Sequence, residues 1–151
     1  MEHPLIPTNS VVVVCDGAKA LILRNDGDAT QLSLSVVDAA TAPEPATRDL
    51  GTERPGRVYQ SVGMARSAVE ETDFHSLAET VFLIKLGQRV DALVNDGAAK
   101  HIVLVAPPKS LGILRASLAP ATRAAIAAEI PKDLAHLSIV EIERHLAPGD
   151  R

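Results

Sequence analysis

The sequence predicts an α/β domain: a mixed sheet with an N-terminal antiparallel three-stranded meander, C-terminal parallel β-α-β crossovers, and helices packed on the sheet. Three observations predict it. Val11-Val12-Val13-Val14-Cys15 and Ile102–Ala106 are short, unbroken apolar runs of the kind found in strands buried on both faces. Between 73 and 96 the apolar spacing changes to a helical period. In the C-terminal half, helical stretches then alternate with short apolar runs, which implies right-handed parallel crossovers.

The elements follow in order. Asp16-Gly17 separates the valine run from a second apolar run, Ala18–Leu23, and Asp-Gly between two such runs predicts a hairpin with a two-residue primed turn. Asn25–Asp28 makes the next turn. Gln31–Val37 then alternates, with Leu32, Leu34 and Val36 on one side, as a half-exposed third strand does. Ser76 with Glu79 three residues on predicts a capping box at the start of the long helix. Its inward stripe is read as Leu77, Val81, Ile84 and Gln88, widened by Phe82, Leu86, Leu93 and Val94, with a stop at Gly97. Pro107-Pro108 opens a second helix through Leu111, Leu114 and Leu118. A helical turn follows over Pro120–Ala125, then a strand with Ile126, Ala128 and Ile130. Ser138 and Glu141 predict a second capping box, with Leu137 and Ile142 as its staple, on a helix ending near Leu146.

The chain of 151 residues is expected to form a single domain, 1–151. Aromatics are 2% of it, so the core is aliphatic and base-stacking platforms are disfavoured. Fifteen Lys and Arg against nineteen Asp and Glu give a net charge of −4, which leaves no global basic footprint for nucleic acid. One cysteine excludes an internal disulfide. The first ten residues do not read as a secretion signal, and no apolar stretch nears the ~20 residues of a membrane span. A cytoplasmic protein without membrane contact is expected.

One stretch differs in kind. A long connection is expected at about 39–72, rich in Pro and Gly, and long connections in compact domains are often functional or disordered. From 48 to 66 it holds Arg48, Arg54, Arg57 and Arg66 against only Asp49 and Glu53. A contact loop for an anionic partner and a mobile solubilising loop are both open readings of it.

Other candidates weaken on inspection. Cys15 ends a strand read as buried, which favours an inert thiol over a nucleophile. Asp16 invites comparison with the first-strand carboxylate of ribonuclease H-like nucleases. Two-metal chemistry needs further carboxylates at neighbouring strand ends, and Ala106-Pro107-Pro108 offers none. No pair among His3, His75, His101, His136 and His145 has the spacing of a helical metal pair, and neither metal nor cofactor is expected. Lys109 stands in the first turn after a strand, where free N–H groups favour an anion. The plainer reading is a helix start with a solvated lysine.

Ala106-Pro107-Pro108-Lys109-Ser110-Leu111-Gly112-Ile113-Leu114-Arg115 and Ile130-Pro131-Lys132-Asp133-Leu134-Ala135-His136-Leu137-Ser138 resemble the bacterial host attachment protein family. Val14–Ala20 looks like that family's first hairpin, and Arg54-Pro55-Gly56-Arg57 like its loop. Its members are described as required for attachment to host cells. That family in turn resembles the middle domain of archaeal and eukaryotic class-1 release factors and of Pelota, which implies a ribonuclease H-like, release-factor-middle-domain-like sheet. In release factors the corresponding loop carries a Gly-Gly-Gln tripeptide that promotes peptidyl-tRNA hydrolysis. Here Gln60 is present, but Val58 and Tyr59 stand where the glycines would be. A residue with a Cβ cannot follow glycine's backbone there.

Two functions follow as expectations. The first is a non-enzymatic binding module that contacts RNA or the ribosome, or else another protein, through Arg48, Arg54, Gly56 and Arg57, with Lys109 as a further binding residue. The alternative is a diverged ribosome-rescue hydrolase in which Gln60 orients a water. A literal surface adhesin finds no mechanism in these residues.

Overall fold

The structure, a computed structural model, describes residues 6–42 and 67–147. Five strands, β1 (Val11–Cys15), β2 (Lys19–Asn25), β3 (Leu34–Thr41), β4 (Ile102–Val105) and β5 (Ile126–Ile130), form one open sheet in the order β3-β2-β1-β4-β5. β1, β2 and β3 are the antiparallel meander, while β1–β4 and β4–β5 are parallel. The helices are α1 (Ser67–Asn95), α2 (Pro108–Ser117), α3 (Pro120–Ala124) and α4 (Ile139–Leu146).

The valine run becomes the central strand because both of its faces find apolar partners. Val11 and Val13 join Leu83, Leu86, Val90, Leu111 and Leu114 from α1 and α2 on one face. Val12 and Val14 join Ile130, Leu134, Ile142 and Leu146 on the other. The molecule is thus three-layered, with α1 and α2 on one side of the sheet and α4 on the other.

The ends of the predicted connection are shorter than expected. β3 runs on to Thr41, because Ala39, Ala40 and Thr41 pair with Leu21, Ala20 and Lys19. α1 begins at Ser67, six residues before the expected start at 73. No Gly or Pro interrupts Ser67–Asp73, and tertiary anchoring further on lets the helix propagate back. Ser76 therefore lies within α1 rather than at a cap, and its carbonyl accepts from the Thr80 hydroxyl at 3.0 Å. At its other end α1 closes as expected on Gly97, with φ +79. Gly97 N–H donates to Val94 O and Ala98 N–H to Leu93 O, a Schellman closure.

Two further expectations are corrected. Neither central residue of the first hairpin, Gly17 or Ala18, has positive φ, so the turn is not primed. The Asp16 carboxylate instead accepts from the Ala18 and Lys19 N–H groups at 2.8 Å each, closing the turn from its first position. Gly17 is needed for space: a Cβ there would lie 2.8 Å from the Glu79 side chain. The third strand is Leu34–Thr41, not 31–37, and it carries a bulge, since Val36 pairs with Leu23 but Asp38 with Ile22. The extra residue, Val37, moves Asp38 and Ala40 to the α1 face of the sheet.

The inward stripe of α1 is only in part the predicted one. Leu86 is buried and Phe82, Leu93 and Val94 pack against the core as expected, but Leu83 and Val90 complete the stripe, whereas Leu77, Val81 and Ile84 are 60%, 41% and 40% exposed. The second capping box is present as expected. Ser138 Oγ accepts from Glu141 N–H, and the Glu141 carboxylate accepts from Ser138 N–H.

Candidate binding site

Arg48, Arg54, Gly56 and Arg57, with Gln60 of the alternative, fall between 43 and 66 and lie outside the described residues. Lys109 is described. It stands in the first turn of α2, where β4 ends, its side chain 68% exposed and 4.0 Å from the Glu79 carboxylate. An exposed pair at this distance is worth little, about 0–1 kcal/mol. The free helix end is thus shared with an acid from α1, and the Lys109 charge is already partly answered.

Nearby groups are committed elsewhere. Cys15 is fully buried, and burial pushes its thiol up to about 12, with the Asp16 charge adding to the effect. It stays a protonated thiol at neutral pH, as a structural cysteine does. Asp16 is held by its own turn. Among the described residues, no three His, Cys, Asp or Glu gather as a metal site. His136 lies 3.8 Å from Asp133, on the surface.

The deeper surface feature lies at the other edge. The end of β3 and the flank of α1 enclose a groove of about 490 Å³. That is within the range of ligand-sized clefts. Ala40 and Ala42 form one wall; Leu77, Val81, Phe82 and Leu86 form the other. The α1 lining runs from Leu77 to Arg89, roughly 18 Å at 1.5 Å per residue. Its charged residues are Lys85 and Arg89. Arg89 donates to the Asp38 carboxylate at 2.7 Å, an ion pair that the β3 bulge makes possible by turning Asp38 toward α1. Lys85 has no ion-pair partner among the described residues.

The β3 edge itself is partly closed. Leu34 N–H donates to the Glu143 carboxylate at 2.7 Å, and Ala39 N–H to that of Asp38 at 2.8 Å. Carboxylates on edge donors and a bulge are devices that discourage a further strand. The groove is therefore better suited to side chains than to strand addition.

Sequence reasoning missed Asp38, Lys85 and Arg89. The signal was present in α1, whose apolar residues are too many for one face: Leu77, Val81 and Ile84 repeat at helical spacing beside Leu83, Leu86 and Val90. What was absent from the sequence was the bulge that selects between faces.

The fold and this groove define an α/β domain with a three-layer core and a largely apolar groove at the free edge of its meander. The sequence profile of the family described as "Protein required for attachment to host cells" matches residues 11–146, and the chain belongs to that family. No curated protein matches it. Among the described residues, no helix is long and apolar enough to cross a membrane.

Proposed function

We propose that this member of the host attachment family is a cytoplasmic, non-enzymatic binding module whose arginine-bearing connection contacts RNA or a ribosomal surface. The observation that carries this reading is where the connection is tethered. Ala42, just beyond β3, lines the groove, and α1 begins at Ser67 and forms the opposite wall. In the sequence, Arg48, Arg54, Arg57 and Arg66 fall within the stretch that joins β3 to α1. Guanidinium groups pair bidentately with phosphate, which makes such a cluster suited to a nucleic-acid backbone. The resemblance to release-factor middle domains and Pelota directs attention to the ribosome as the partner. Lys109, on the far side of α1's contact with α2, is a secondary contact in this reading.

Co-sedimentation with ribosomes and binding to single-stranded RNA across a salt series test it. Replacing Arg54 and Arg57 by Ala is expected to weaken binding. It should also make log K shallower in log salt by roughly 1.4, at about 0.7 per lost phosphate contact. Gln60→Ala should leave binding unchanged, since a neutral amide releases no counterion. Gln60-dependent release of peptide from peptidyl-tRNA would establish the hydrolase instead. Absence of both RNA and ribosome binding would point to a protein partner.

A further inference from the structure

We draw no further inference here: the strongest candidate, the exposed Leu77, Val81 and Ile84 face of α1 with the apolar groove beside β3, carries none because nothing in the structure shows what covers it.

Discussion

Single residues carry the clearest consequences of burial. Cys15 holds its proton up to about 12 in the folded chain, against an ordinary thiol value of 9.0. A group whose pKa is raised on folding stabilises below its unfolded value, and that contribution is lost as pH rises through the folded one. Cys15 should therefore erode stability between about pH 9 and 12, by at most about 1.4 kcal/mol per pH unit. In chemical denaturation across that window, Cys15→Ala should show the shallower decline; equal slopes would refute the assignment. Native protein at pH 8 should also resist thiol-directed reagents until it is unfolded. Asn25 makes a second case. Fully buried, its amide donates to Ile6 O at 3.0 Å and Asp28 O at 3.2 Å, while its oxygen accepts from Gly27 and Ser33 N–H at 3.0 Å each. Asn25→Asp puts a charge against two carbonyls, and urea unfolding at neutral pH should show a loss of about 2 kcal/mol or more.

Elements take their shape from the competition between local signals and packing. Ser138 and Glu141 form the capping box that their spacing announces, because nothing upstream extends the helix there. Ser76 and Glu79 have the same spacing, yet α1 runs through them, since the residues before Ser76 hold no helix breaker. Which side of α1 faces the sheet was not decidable from spacing, because two apolar stripes satisfy the same period. The structure assigns Leu83 to the core and Leu77 to the surface. Leu83→Ala should accordingly cost about 2–5 kcal/mol of stability, the usual range for a buried leucine. Leu77→Ala, at a residue 60% exposed, should cost less than about 0.5 kcal/mol. Comparable losses at the two positions would mean that the helix is turned the other way.

At the scale of the whole molecule, stability should grade outward from β1. Its amides lie between two bonded neighbours and under helices on both faces, whereas β3 is an edge with Val36 53% exposed. Hydrogen exchange should show β1 and β4 opening only with global unfolding, and β3 exchanging by local opening. Protection of β3 equal to that of β1 would contradict this gradient. The sequence by itself determined the element order, the central place of the valine run, the parallel pairing of Ile102–Val105 with Ile126–Ile130, and the family, because these rest on local composition and short motifs. Only the tertiary structure decided the end of β3, its bulge, the start of α1 and the side of that helix turned to the core. Each of these depends on pairing or packing with residues distant in the chain. Asp38 meets Arg89 across 51 positions because a single inserted residue, Val37, reverses the strand's faces, and no local period records that reversal.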